Sequence, residues 1–145
     1  MGRGTIIRPS AVKPFKANEA YTSRMLLDNT NSEAEKIQIN HGTLKAGKNL
    51  LPASAHGGPQ DHYDETYIIL KGKCRLQLDG EWFDIKAGDV IFIPGGVYHG
   101  LDNNEGTEDL EILAIWGNTP GRGVSDVYDK RIAAWGKSFK LINED

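Results

Sequence analysis

Apolar and polar positions alternate with a period of two through most of this chain, the pattern of strands with one face in a core. In "EKIQINHGTLKAG", Ile37, Ile39 and His41 share one parity, and Gln38 and Asn40 the other. The following "KNLLPASAHGGPQD" reads as a long glycine-rich loop. Strand signals then crowd together. "ETYIIL" leads through Lys71-Gly72 into "KCRLQLDGEWFDI", where Cys74, Leu76 and Leu78 alternate with Lys73, Arg75 and Gln77. Asp79-Gly80 is a two-residue hairpin signal within that stretch. "AGD" marks a turn, "VIFIP" a strand, and "DLEILAIWG" another, with Leu110, Ile112, Ala114 and Trp116 on one parity.

The two ends of the chain differ from this middle. "TIIRPSAVKPF" predicts a short strand at Thr5 to Ile7, interrupted by Pro9 and Pro14 and without a nearby hairpin partner. Such a strand suits the edge of another sheet, including one in a second subunit. In "SDVYDKRIAAWGK", Ser125 is placed as an N-cap, and Val127, Ile132 and Trp135 fall near helical spacing; "SFKLI" follows as a short strand. The expected class is all-β, with strands every 8 to 12 residues and one short C-terminal helix. Periodicity alone leaves a sandwich, a barrel and a jelly roll open.

Composition narrows the setting without changing the class. A length of 145 residues suits one domain. The 17 glycines and 6 prolines agree with many turns and short elements. A single cysteine, Cys74, allows no internal disulfide and agrees with a reducing compartment. No apolar run reaches membrane-spanning length and no charged-then-apolar leader opens the chain, so a cytoplasmic protein with no membrane partner is expected. A formal net charge of −3 without Lys/Arg clusters argues against nucleic acid.

Chemistry concentrates in two segments. In "AGDVIFIPGGVYHGLDNN", Gly88 permits a tight turn, Asp89 can accept from nearby backbone N–H groups, and Pro94 ends the strand. Gly95 and Gly96 then let the chain reverse and throw His99 back. Upstream lies "QDHYDETYIILKG", with His62, Asp64, Glu65 and Gly72. Together these segments resemble the cupin superfamily. Its second motif, G(x)5PxG(x)2H(x)3N, is met by Gly88, Pro94, Gly96, His99 and Asn103, and the E(x)6G half of its first motif by Glu65 and Gly72. The resemblance covers residues 35 to 117. It implies a double-stranded β-helix, the jelly-roll barrel of cupins, as a single domain over 1–145: barrel core about 35–117, N-terminal strand arm 1–34, and helical tail 118–145.

The first motif departs from the family at its H-x-H. The family's spacing would put histidines at 59 and 61, or at 58 and 60; this chain has Pro59 and Asp61, Gly58 and Gln60. His62 stands closer to Glu65. The resemblance implies a divalent first-row transition metal (Mn, Fe, Ni, Co or Zn), held by His62, Glu65 and His99, with Gln60 as a fourth ligand through its amide oxygen. His56, or His41 if it points into the barrel, could take that fourth place instead. The plainer alternative is that His62 and His56 are loop residues, with Glu65 and His99 hydrogen-bonded inside the barrel.

Tyr67 shares the strand parity of Glu65 and should line the same interior, either filling it or acting once its pKa is lowered, so that Glu65 or Tyr67 is the catalytic group that moves a proton. Tyr98 is expected at the rim, Cys74 in the core, and Trp82, Trp116 and Trp135 in packing roles, with a cover over the barrel mouth as the alternative for Trp135. By resemblance, the expected function is metal-assisted isomerase, lyase or dioxygenase chemistry on a small oxygenated substrate: a sugar, a hydroxy or keto acid, or an enediol. The other reading is a non-catalytic cupin that binds or senses a small ligand, with the metal absent or structural. A homodimer is expected from the unpartnered N-terminal strand and from the habits of small cupins.

Overall fold

The fold is seen in a computed structural model, which describes residues 4–28, 31–55 and 63–117. A 3-10 turn at Pro9–Ala11 precedes ten strands: β1 Phe15–Lys16, β2 Tyr21–Leu27, β3 Gln38–Leu44, β4 Asn49–Ser54, β5 Glu65–Lys71, β6 Lys73–Leu78, β7 Glu81–Lys86, β8 Val90–Ile93, β9 His99–Asp102 and β10 Leu110–Trp116. They form two antiparallel sheets, ordered β1-β2-β3-β10-β5-β8 and β4-β9-β6-β7. Both sheets bury their inner faces in one core, the double-stranded β-helix that the motifs imply.

Strand register divides the inner face of the six-stranded sheet into rows. One end row runs Gln38, Trp116, Glu65, Ile93. Next comes Met25, Asn40, Ala114, Tyr67, Ile91, and then Ser23, Gly42, Ile112, Ile69. Leu44 and Leu110 pair at the far end. Apart from Ser23 in the third row and Tyr21, which stands in register with Leu44, polar side chains cluster in the first two rows and aliphatic ones in the last two. Leu76 and Leu101, paired across the second sheet, join the aliphatic end. Each such side chain, fully buried, contributes about 1.5–3 kcal/mol.

Turns explain much of the connectivity. Asp79 and Gly80 both take positive φ, at 51° and 82°, as a two-residue hairpin between β6 and β7 requires. Gly72 at φ 88° joins β5 to β6, and a Cβ there would come within 2.8 Å of the Asp109 carbonyl oxygen. That close approach, and not flexibility, is why the E(x)6G spacing ends in glycine.

Three expectations need correction. Thr5 to Ile7 form no strand; the N-terminal pairing comes later, through β1 and β2, with β2 laid against β3. Val12 and Phe15 are buried and fix this segment to the barrel. The "KNLLPASAHGGPQD" loop begins as a strand, β4, which pairs with β9 across an irregularity between Leu50 and Ser54. Pro52 falls within that irregularity, where the missing ladder donor is tolerated. Finally, β3 presents Gln38 and Asn40 inward and Ile37, Ile39 and His41 outward, the reverse of a simple reading of its apolar parity. The expected C-terminal helix, Trp135 and the "SFKLI" strand lie outside the described residues.

Candidate functional site

The Pro-Gly-Gly corner earns its place by aiming one imidazole. Val97 N–H donates to the Pro94 carbonyl at 3.1 Å, Gly96 takes φ 83°, and Gly95 N–H donates to Asp64 Oδ1 at 3.1 Å. Asp64 thus ties the turn to the approach of β5. The chain re-enters as β9 with His99 as its first residue, buried and facing Glu65 at the start of β5. His99 Nδ1 lies 2.9 Å from the Val97 carbonyl oxygen, which can only accept, so Nδ1 carries the proton. In the neutral imidazole this leaves Nε2 with its lone pair pointing at Glu65 Oε1, 3.4 Å away.

Two acceptors facing each other at that distance invite a cation between them, either a proton or a metal ion. A ligating histidine usually has its other ring nitrogen fixed by a carbonyl or carboxylate, as here. In donor chemistry the pair fits a first-row metal, but among the described residues no group of three or more His, Cys, Asp or Glu could hold one. His62, Gln60 and His56 lie outside the described residues. His41 is on the outer face, with Nε2 3.0 Å from Glu111 Oε1, and takes no part in the interior.

Tyr67 packs edge-on against His99, ring centroids 5.9 Å apart at 71°. Burial first, and then the Glu65 charge with its hydrogen bond, push the Tyr67 phenol well above its usual pKa. Tyr21, reaching in from β2, is raised by burial and by Glu65, with a hydrogen bond from Asn40 working the other way. Both phenols stay protonated near neutrality and offer O–H groups. The expected lowering at Tyr67 is thus reversed, because the nearby charge in a buried place is negative.

Several residues of this interior escaped the sequence reading: Tyr21, Ser23, Gln38, Asn40 and Trp116. Asn40 Nδ2 donates to Ser23 Oγ at 3.2 Å. Gly42 makes room for the tyrosine, since a Cβ there would overlap the Tyr21 hydroxyl. The available signal was parity: Tyr21, Ser23 and Met25 alternate with Thr22, Arg24 and Leu26, and Gln38 with Asn40 forms a polar inward stripe. No lysine or arginine is among the buried residues described.

The last position of the second motif does different work. Asn103 Nδ2 donates to the Glu108 carbonyl at 3.0 Å, with longer contacts of 3.4 Å to the carbonyls of Leu44 and Lys45. It clamps the loops at the aliphatic end, far in register from His99. Tyr98 is exposed, and Cys74 is a half-buried free thiol that burial pushes up to about 12. A groove of about 770 Å³ beside β6 and β7 is walled by Lys73, Arg75, Asp84 and Asp89. Lys73, Arg75 and Asp84 are exposed and Asp89 is half-buried, so the groove is mixed in sign and open to solvent.

Comparison with known proteins agrees with this geometry. A cupin-domain family profile matches residues 43–116. An oxalate-binding protein of Thermotoga maritima is 30% identical over 115 residues, covering 79% of this chain and 94% of its own length. A solved structure described as a predicted oxalate decarboxylase from the same organism superposes with TM-score 0.65 at 25% identity, covering 77% of this chain and 97% of that one. KdgF from a Halomonas species shares the fold at TM-score 0.69 and 13% identity, covering 87% of this chain and 99% of that one. With motif spacing, two-sheet topology, a family profile and a 30%-identical relative in accord, the chain belongs to the cupin family.

Proposed function

We propose that this cupin holds one divalent first-row metal (Mn, Fe, Ni, Co or Zn) at the polar end of its barrel and acts there on a small oxygenated molecule. The observation that carries the reading is His99 Nε2 set 3.4 Å from Glu65 Oε1, with the ring's other nitrogen locked to the Val97 carbonyl. Glu65 and His99 would ligate, joined by His62 and by Gln60 through its amide oxygen. Bound there, the metal would supply Lewis acidity toward chelating oxygens of a sugar, a hydroxy or keto acid, or an enediol.

The chain's own residues would do the rest. Tyr67, protonated and donating beside Glu65, holds the carboxylate's orientation and gives a proton donor next to the bound oxygens. Burial of Glu65 and His99 keeps bulk water from the reacting end, which strengthens each electrostatic contact. Isomerase, lyase and dioxygenase outcomes share this arrangement. Metal analysis of protein purified without chelator tests it: near-stoichiometric metal is expected, with loss in His99→Ala and His62→Ala. Full metal retention in both variants would overturn the reading.

A second reading is supported by the 30%-identical relative, which is named for binding oxalate and not for turning it over. On that reading the same pocket holds a ligand without chemistry. Incubating metal-loaded protein with sugars and with hydroxy and keto acids, followed by NMR, separates the two: new product peaks favour the enzyme, while saturable binding without product favours the binder.

We further propose a homodimer, and a cytoplasmic setting consistent with the free thiol of Cys74. Among the described residues β8 is one edge of the six-stranded sheet, with β1 the other, and it exposes Val90 and Phe92 beside Leu70 of β5. An antiparallel edge can pair with its own copy across a twofold axis, covering that apolar face. Gel filtration of Val90→Lys/Phe92→Glu should give a monomer; an unchanged dimer would exclude this face. Among the described residues no helix is long and apolar enough to cross a membrane.

A further inference from the structure

Two polar atoms in the barrel interior are buried without partners. Asn40 Oδ1 and Trp116 Nε1 have almost no solvent contact, and neither finds a hydrogen-bond partner among the described residues. Their residues are 2% and 5% exposed. One is an acceptor and the other a donor. An orphaned buried group of this kind costs about 1–3 kcal/mol, so a pair of them in one pocket asks for a physical reason.

Register puts the two side chains side by side. Asn40 pairs with Ala114 and Trp116 with Gln38, so they are diagonal neighbours on one inward face, with Cα atoms about 7–8 Å apart in such a pair. Trp116 also sits directly beside Glu65 on β5. The amide is held from behind: its Nδ2 donates to Ser23 and bonds Tyr21, which leaves Oδ1 as the free face. Both unpartnered atoms therefore lie on the inward face that carries Glu65, which His99 meets from the second sheet.

We infer that Asn40 and Trp116 form an acceptor–donor clamp for a hydroxyl group of the bound molecule, so that the pocket selects a neutral, hydroxylated ligand over an acceptor-only anion. A hydroxyl both donates and accepts, and can satisfy Asn40 Oδ1 and Trp116 Nε1 at once. An oxalate oxygen could accept from Trp116 but would face the Asn40 oxygen lone pair to lone pair. The clamp deepens the ligand-pocket reading above and rests on it.

The test reads binding. Trp116→Phe keeps an aromatic ring and deletes the orphan donor; the volume lost with the indole lowers the melting temperature in any case, so stability is not the readout. Glycerol, D-xylose and D-glucose serve as hydroxylated probes and oxalate as the acceptor-only control, each titrated into metal-loaded protein by saturation-transfer NMR. At least one hydroxylated probe should bind saturably, and both Trp116→Phe and Asn40→Leu should weaken it about tenfold, the equivalent of one net hydrogen bond. Oxalate should bind more weakly than that probe, and Asn40→Leu, which removes the opposed lone pair, should not weaken it.

Absence of binding by all three hydroxylated probes, or binding that neither variant alters, would show the clamp to be wrong. Metal content measured on the same samples keeps the two proposals apart. Neither residue is a ligand, so retained metal with a failed clamp overturns only the clamp, whereas wild-type protein without metal overturns the metal reading alone.

Discussion

The two ends of this barrel are built from the same strands and do opposite work. At one end, rows of Leu44, Leu110, Ile112 and Ile69 meet Leu76 and Leu101, and the Asn103 clamp closes the loops. At the other, Gln38, Asn40, Glu65, Tyr67, His99 and Trp116 replace aliphatic volume with polar groups, some of them unsatisfied. The aliphatic end supplies stability, and the polar end draws on it. A barrel of this kind can carry buried carboxylate and orphan donors because half its length is an ordinary hydrophobic core.

Substitutions at the aliphatic end should have the largest effect on folding. Ile69→Ala should cost about 2–5 kcal/mol in urea unfolding while leaving metal per folded molecule unchanged. If its cost is below that of Trp116→Phe, the division between the ends fails. Next in size is the Gly42 and Tyr21 fit. Gly42→Ala should destabilise by about 1–3 kcal/mol by displacing the phenol, and most of that cost should vanish in a Tyr21→Leu background. Additive effects in this double-mutant cycle would mean that the tyrosine does not occupy the space over Gly42.

Asn103 sharpens the comparison, since motif membership alone would group it with His99. Asn103→Ala should lose about 1–3 kcal/mol, because the carbonyls it serves lose their donor, with metal content per folded molecule intact. Metal loss there, with folding preserved, would move Asn103 into the site. The smallest effect is alkaline. The Cys74 thiol is raised from 9.0 to about 12 by burial and by Asp102, so the folded state keeps a proton that the unfolded chain releases. Stability from this group is full below about pH 9 and is lost as pH rises toward 12. Cys74→Ala should flatten the decline in unfolding midpoint over that window.

The architecture was legible because its signals were local and redundant. Asp79-Gly80, Gly72, and the Gly88-to-Asn103 spacing each fix a turn whose backbone demands those residues. Glu65, Tyr67 and His99 could be placed in one interior because strand parity and motif agreed. What escaped was set by long-range pairing. Gln38 and Asn40 look like a solvent face until Tyr21 and Ser23 arrive from β2 to bond with the asparagine and Ile115 pairs beside Ile39 on the other face. His41 looked inward by the same local rule, and its contact with Glu111, seventy residues away, is invisible to it. Tyr67 shows a related limit: its parity was readable, but the direction of its pKa depends on a neighbour's charge in a dry place.

An anomalous-difference map collected at the absorption edge of the co-purified metal tests the central claim most directly. One peak should lie at bonding distance, about 2.0–2.3 Å, from both His99 Nε2 and the Glu65 carboxylate. A peak at the outer His41 and Glu111 pair instead, or an interior where those two side chains meet with no metal between them, would contradict the account.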